Sequence, residues 1–320
     1  MFLREVAKTL AAAAALAAMV VAAGCDLTEV ATEEGQDVVV VEAVLRTDFA
    51  RQQVLLHRAV QGRLAGPVSG ATVTVQGTDG VAHRLVENTG CFRIDPAYAQ
   101  SDSLEFQGTC YISPGSDAGW MRAGGTYDLT VRTQDGRVIR GRTHVPGDFA
   151  VPSVPTSASI DGVPFCSLAP DSAFTLLWTR ARDAASYVAD LRITGLRAQL
   201  GGNGYEVPDP LELRGLSVSE SDTTVLLPTE FGVFERLLYD SDLLKAIAGG
   251  FPENTNVDVV LAAADLNWVN SVRGGNFNPS GLIRISTVVG DGVGVFGSMV
   301  VKRAGIVVRR RLVAPRCGVR

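Results

Sequence analysis

Short stretches in which apolar and polar residues alternate, separated by tight-turn residues, constrain this chain more than any other feature. The clearest is "GGTYDLTVRTQDGRVIRGRTHVP", residues 124–146, where Tyr127, Leu129 and Val131 alternate with polar neighbours. A period of two places these three side chains on one face of a strand. The Asp-Gly pair that follows them is typical of a tight hairpin turn. The pattern predicts half-buried strands and an all-β fold.

The 320-residue chain is long enough for more than one core of this kind. About seven short strands with frequent turns between residues 38 and 147 predict a β-sandwich. The Pro-rich stretch 148–157 predicts a semi-rigid linker, and further alternating runs predict a second β-sandwich over residues 158–320. A helical pattern at about 229–250 predicts an insertion in that second domain. The expected fold class is therefore all-β, with two tandem β-sandwiches.

Local motifs refine both expectations. The run "PVSGATVTV", a turn, "GCFRI" and "AGGTYDLTV" resembles the carboxypeptidase-regulatory-like and prealbumin-like sandwiches. In the second domain, Phe174, Leu176 and Trp178 alternate on one predicted strand, and Tyr187 lies on the next. A Trp and a Tyr on neighbouring strands resemble the core of fibronectin type III sandwiches.

The N-terminus predicts export. Arg4 and Lys8 precede an uncharged apolar run, residues 9–23, which is shorter than the roughly 20 residues of a membrane span. Residues 1–24 are therefore predicted to be a signal peptide, with an uncleaved membrane anchor as the alternative. The sequence Ala-Ala-Gly before Cys25 resembles the lipobox of bacterial lipoproteins, which implies that Cys25 carries a lipid and becomes the first mature residue.

An acidic segment follows the anchor cysteine. Residues 25–37 contain five carboxylates and no basic residue, which predicts a solvated, extended tether. The formal net charge of the whole chain is -5. Nucleic-acid binding requires a basic surface, so the charge argues against a nucleic-acid partner.

Four further cysteines, Cys91, Cys110, Cys166 and Cys317, suggest two disulfides in an exported chain, with three pairings open. A zinc site is the rival interpretation, but no C-x-x-C or H-x-x-x-H spacing occurs. Cys91 and Cys110 bracket one segment of the first domain, while Cys166 opens and Cys317 ends the second. The simplest pairing therefore joins Cys91 to Cys110 and Cys166 to Cys317, so that each bond lies within one predicted domain.

No motif predicts an enzyme, a cofactor or a metal site. Gly292, Gly294 and Gly297 match G-x-G-x-x-G, but a strand pattern rather than a helix follows them, so a glycine-kinked strand is favoured over a dinucleotide site. No G-x-S-x-G motif occurs. The histidines all lie in strand-like runs of the first domain, where a surface position is expected: His57, His83 and His144.

Two weaker signals remain. Carboxylate pairing for glycoside hydrolysis stays open, because spatial neighbours are not visible in a sequence; the carboxylates on or near strands are Asp190, Asp258 and Asp265. Arg140, Arg142 and His144 share one face of a strand, which is interpreted as solvated rather than as a binding patch.

The segment "DLNWVNSVRGGNFNPSG" carries the candidate binding residues. It is predicted to be a Gly-rich loop after a strong strand, and loops on rigid sandwiches often bind ligands. Tryptophan with amides suits sugar or protein contacts, although a tryptophan that packs on its own domain is the favoured interpretation. The candidate residues are Asn267, Trp268, Asn270, Asn276 and Phe277.

The order of these features resembles one family. A lipobox, "VVVEAVL", "PVSGATVTV", the "GGTYDLTV" hairpin, a Pro-rich joint, "FNPSG" and "GDGVGVFGS" follow one another. This resembles the outer-membrane lipoproteins of domain of unknown function 4249 (DUF4249). Two stretches depart from the family pattern, the segment between Cys91 and Cys110 and residues 194–228. The resemblance implies lipid anchoring in the outer membrane, facing either side, and companionship with TonB-dependent transporters, but no assigned activity.

The sequence thus predicts a lipid-anchored, non-enzymatic envelope protein that binds or assembles beside an outer-membrane transporter. Two alternatives stay open: a surface hydrolase acting on glycan or peptide, and a structural or adhesive module.

Overall fold

A computed structural model describes most of the chain after the tether. It covers residues 37–60, 63–88, 90–91, 108–203, 207–217, 219–228, 241–273 and 285–318. The predicted leader, Cys25 and residues 26–36 lie outside this range. Residues 37–320 cluster as one compact unit.

The described residues are mainly strands, so the all-β prediction is confirmed. The strands are β1 (Asp37–Arg46), β2 (Gln53–Val60), β3 (Arg63–Pro67), β4 (Thr72–Gly77), β5 (Ala82–Asn88), β6 (Thr109–Ile112), β7 (Thr126–Arg132), β8 (Val138–His144), β9 (Ser159–Ile160), β10 (Val163–Leu168), β11 (Phe174–Leu177), β12 (Ser186–Thr194), β13 (Leu211–Leu216), β14 (Thr224–Leu227), β15 (Asn256–Ala264), β16 (Val288–Gly290) and β17 (Gly292–Val308). The α-helices are α1 (Leu196–Leu200), α2 (Ser241–Ile247) and α3 (Leu266–Arg273). Two 3-10 turns span Gly115–Asp117 and Gly201–Asn203.

Most strands belong to one hydrogen-bonded path. Its order is β13-β12-β15-β17-β1-β2-β6-β5-β4-β7-β8-β16, with β3, β9 and β10 attached at the side. The path folds back on itself, because a Cβ added at Gly141 of β8 would lie 3.0 Å from the Phe296 Cβ of β17. Strands β11 and β14 form a separate two-stranded sheet. The face-to-face packing of β8 on β17 is that of a β-sandwich.

The last strand joins the two predicted domains. β17 runs parallel to β1, from Val39 opposite Gly292 to Arg46 opposite Met299. On its other edge β17 pairs antiparallel with β15. A β-strand offers hydrogen bonds on both edges, so one long strand can link strands of both predicted halves in one sheet. The domain boundaries at 148–157 stay a prediction.

The alternating residues that predicted strands form the core. Tyr127, Leu129 and Val131 are 6%, 1% and 0% exposed. In the second half, the rings of Trp178 and Tyr187 pack with their centroids 5.4 Å apart. Period-two patterning therefore selected the buried face correctly in both halves, because alternate side chains of a strand point to opposite faces of a sheet.

Two disulfides lie in the described residues. Cys91 bonds Cys110 across a separation of 19 residues, and Cys166 bonds Cys317 across 151 residues. Each bond lies within one predicted domain, and these are the two pairings expected from the sequence. The second attaches the C-terminal segment to β10.

The helical insertion is only partly described. Helix α2 lies within the predicted range 229–250 and is followed by Gly250 at φ +150°. Residues 229–240 lie outside the described range. Among the described residues, no helix is both long and apolar enough to cross a membrane.

Candidate functional site

The structure corrects the predicted binding loop. Asn267, Trp268 and Asn270 lie in helix α3 and not in a loop. Asn276 and Phe277 fall outside the described residues. The helix forms because Asp265 accepts a hydrogen bond from the Trp268 backbone N–H at 2.9 Å, the N-cap arrangement that satisfies a free amide of the first turn. The Asp at the end of an apolar strand was the signal for this helix.

Asp265 is also the centre of a buried polar cluster. Thr143 Oγ1 of β8 donates to Asp265 Oδ2 at 2.5 Å and lies 2.8 Å from Ser298 Oγ of β17. The three residues are 4%, 1% and 0% exposed. Three separate elements therefore meet at one carboxylate. Because these side chains are closed off from solvent, the cluster holds β8, β17 and α3 together and does not present a reactive group to a substrate.

Burial sets the titration of this carboxyl. Desolvation raises the pKa of Asp265 above its ordinary value, and hydrogen bonds from Thr143, from the Trp268 amide and from Ser298 offset only part of that rise. The folded protein thus binds the Asp265 proton more tightly than the unfolded chain.

A pH prediction follows for Asp265→Asn. A raised folded-state pKa means that stability is fully present below the unfolded carboxyl value of about 4 and is lost as pH rises through the folded-state value. The wild-type free energy of unfolding should therefore fall with pH in this window, and Asp265→Asn should lack this component of the slope. Asp265→Ala should cost about 1 kcal/mol or more through loss of the cap. Urea denaturation across this pH range measures both effects.

The matched control is Asp258→Asn, which removes a carboxyl from an exposed position of β15. The free energy of unfolding of that variant should keep the pH dependence assigned to Asp265. Parallel stability curves for wild type and Asp265→Asn would show that Asp265 does not titrate as inferred.

The remaining candidates on α3 are engaged with the protein itself. Asn267 Nδ2 donates to the carbonyl oxygens of Arg142 at 2.7 Å and Phe296 at 2.8 Å. Trp268 is half-buried and packs on a small apolar cluster of β12, β15 and β17. A Cβ added at Gly297 would lie 3.0 Å from the backbone nitrogen of Trp268, so glycine permits this close approach of β17 to α3. The favoured interpretation, a tryptophan packed on its own domain, agrees with these contacts.

The glycine motif forms part of a strand. Gly292, Gly294 and Gly297 all lie in β17, with Gly294 at φ +134°. The strand interpretation is therefore confirmed. Phe296 beside them is 0% exposed.

The strand carboxylates do not face one another. The register places Asp190 opposite Arg214 and Asp258 opposite Arg192, and Arg214 Nε donates to Asp190 Oδ1 at 2.9 Å. Each acid therefore lies opposite an arginine in the register. Within the described ranges, no group of three or more His, Cys, Asp or Glu side chains has metal-site geometry.

The structure contains an aromatic cluster that the sequence patterns did not indicate. The His83 ring stacks on Trp120 with centroids 4.4 Å apart, and Tyr127 meets Trp120 edge-on at 5.2 Å. Asp117 Oδ2 lies 3.3 Å from His83 Nδ1. His83 lies 34 residues before Asp117 in sequence, so no local motif indicated the stacking of His83 on Trp120. His144 is exposed, as expected, whereas His57 is buried at 9% exposure, contrary to the surface position expected for it.

Four exposed apolar side chains lie around the β16–β17 turn and at the start of α3. Val289, Leu266, Ile285 and Val293 are 69%, 60%, 53% and 44% exposed. Ile285, Val289 and Val293 belong to the stretch around the β16–β17 turn, whose strand β16 pairs with β8. Leu266 precedes Asn267, which bonds the next part of β8. These four residues, called here the apolar edge, belong to the region of the β16–β17 turn and to the start of α3, and both segments bond β8.

Comparison with known proteins gives little. No protein-family model matches the chain, and no curated protein matches it. Among solved structures, it is similar to a DUF4785 family protein from Legionella pneumophila, at 11% identity and a TM-score of 0.20. The similarity covers 70% of this chain and 50% of that one, so it spans about half the length of that protein. The resemblance to DUF4249 stays a prediction.

Proposed function

We propose that this chain is a lipid-anchored, non-enzymatic protein of the bacterial outer membrane that binds a membrane-embedded partner, an outer-membrane transporter of the TonB-dependent class. The N-terminal sequence supports the anchor, because a charged start and an apolar run lead directly to the lipobox-like Ala-Ala-Gly before Cys25. The family resemblance supports the class of partner.

The apolar edge is the observation that carries the binding proposal. Single exposed apolar side chains are common, but a cluster of them marks an interaction surface. Burial of a half-exposed Val, Leu or Ile contributes about 1 kcal/mol. Four such residues supply a weak contact, and confinement of both proteins in one membrane raises their effective concentration, so that weak contact is sufficient.

The anchor is tested by Cys25→Ser. Without the thiol no lipid can be attached, so we expect the variant to be soluble or to keep its leader. Membrane fractionation and mass spectrometry of the N-terminus measure the change. A processed variant that still needs detergent for extraction would refute the anchor.

Partner binding is tested by photo-crosslinking in native membranes. A photo-reactive amino acid at position 289 should crosslink to an outer-membrane transporter. The matched control is position 313, where Val313 is 65% exposed in the C-terminal segment and should give no such product. The paired substitutions Leu266→Glu and Val289→Glu should abolish association with that transporter, because two charges would be buried at the contact.

Deletion of the segment Asn267–Asn278 is a poorer test than these point variants. It would remove Val269, which is 1% exposed, together with the Asn267 hydrogen bonds.

The hydrolase alternative gains support if residues 37–320 cleave glycan or peptide substrates and lose this activity on substitution of one carboxylate. That result would overturn the non-enzymatic proposal.

A further inference from the structure

Strands β5, β4, β7, β8 and β16 present one face to the core and the other to solvent. The inward residues include Val75 and Leu129, which are 0% and 1% exposed. The residues that alternate with them form the opposite side, called here the outer face. The register aligns Arg84, Arg140 and Val289 in one row across this face, with threonines of β4 and β7 between the arginines.

The outer face is basic although the chain is acidic. Arg84, Arg132 and Arg140 are exposed on it, and the Arg142 side chain is 72% exposed. Among the described strand residues of this face, the one carboxylate is Asp128, whose Oδ1 lies 2.7 Å from Arg142 Nε. The other three arginines form no ion pair with other described residues. This concentration of positive charge stands against a formal net charge of -5 for the chain.

Exposed valines flank these arginines. Val289 on β16 is 69% exposed, and Val86 on β5 is 56% exposed. The carboxylate of Asp291, at the rim beside β16, accepts a hydrogen bond from the Val138 backbone N–H at 2.8 Å. Basic residues bordered by apolar side chains suit a membrane interface, where guanidinium groups bind phosphates and apolar groups reach the acyl boundary.

The tether enters the compact unit at one end of this face. Asp37 accepts hydrogen bonds from Arg58 and from Arg137, and Arg137 lies in the turn between β7 and β8. Arg132, the last residue of β7, adjoins that turn. The 12 intervals between successive Cα atoms from Cys25 to Asp37 span at most about 40 Å. The outer face is therefore within reach of the membrane that would hold the anchor.

We propose that the outer face binds anionic phospholipid headgroups, with its arginines against the phosphates and Val86 at the acyl boundary. This rests on the lipid anchor of the proposed function, because the anchor brings the face to a membrane. Each arginine near an anionic surface contributes about fivefold in partitioning. Binding through this face orients the folded unit and brings strand β16, with the apolar edge, to the level of a membrane-embedded partner.

The test uses residues 26–320, which contain the whole compact unit and no lipid. We expect them to sediment with vesicles of phosphatidylglycerol mixed with phosphatidylcholine, and not with phosphatidylcholine alone. The triple substitution Arg84→Gln, Arg132→Gln and Arg140→Gln should reduce partitioning on the order of 100-fold. High salt should have the same effect on the wild type by screening the charges.

The matched control is Arg180→Gln, Arg192→Gln and Arg310→Gln. It removes the same charge from exposed arginines that pair with Glu220, Glu212 and Glu253, and it should bind as the wild type does. Equal losses in both triple variants, equal binding to neutral vesicles, or no binding to anionic vesicles would each overturn the proposal. Because the probe carries no lipid, these outcomes do not depend on whether Cys25 is modified.

Discussion

Substitution of Gly294 by alanine should lower the free energy of unfolding by about 3–5 kcal/mol, through backbone strain and overpacking together. Gly294 has φ +134°, and a Cβ there would lie 2.0 Å from the Val41 carbonyl oxygen of β1. That oxygen belongs to the parallel partner strand, so it cannot move without breaking the β1–β17 pairing. Urea denaturation measures the loss.

Gly66→Ala separates the two causes. Gly66 has nearly the same φ, +137°, but no atom lies within 4 Å of its added Cβ. Its substitution should therefore show the strain alone, about 1–3 kcal/mol. If both variants lose the same stability, the close approach of β1 and β17 contributes nothing, and the parallel pairing is looser than described.

Removal of the Cys166–Cys317 disulfide should have the other large effect. Chain entropy predicts a loss of about 5 kcal/mol for a bond that closes 151 residues. Cys166 is 0% exposed, and alanine at both positions avoids burial of a polar group. The double alanine variant should therefore unfold at a much lower urea concentration than the oxidised wild type.

The Cys91–Cys110 pair serves as the comparison. It closes 19 residues, for which the same relation predicts about 3 kcal/mol. Peptide mapping without reductant should recover both bonds. A peptide that links Cys91 to Cys166, or equal stability losses in the two double variants, would contradict this account.

Local patterns were sufficient where the neighbours are local. The hairpin of β7 and β8 was predictable because alternation and the turn at Gly136 lie within one stretch. The burial of Trp178 and Tyr187 followed from the same period. The strand that contains Gly292, Gly294 and Gly297 was recognisable from the absence of a helical pattern after it.

The candidate binding segment was harder to predict, because its structure depends on the contacts of Asp265. Asp265 was expected only as a carboxylate on or near a strand, but it caps α3 and binds Thr143, which is 122 residues away in sequence. The cap on the Trp268 backbone N–H begins α3 where a loop was expected, and Trp268 is half-buried there. Neither the cap nor the partner on β8 was predicted from the sequence.

The all-β class, the alternating core, the positions of the four paired cysteines and the expectation of an anchor at Cys25 could be inferred without coordinates, because each depends on neighbouring residues or on composition. The parallel pairing of β17 with β1, and the alignment of Arg84 with Arg140 and Val289 on the outer face, became visible in the folded chain. Arg140 and Arg142 had been interpreted as a solvated strand face. Register between distant strands depends on summed side-chain packing over the whole sheet, and no single stretch of sequence contains that information.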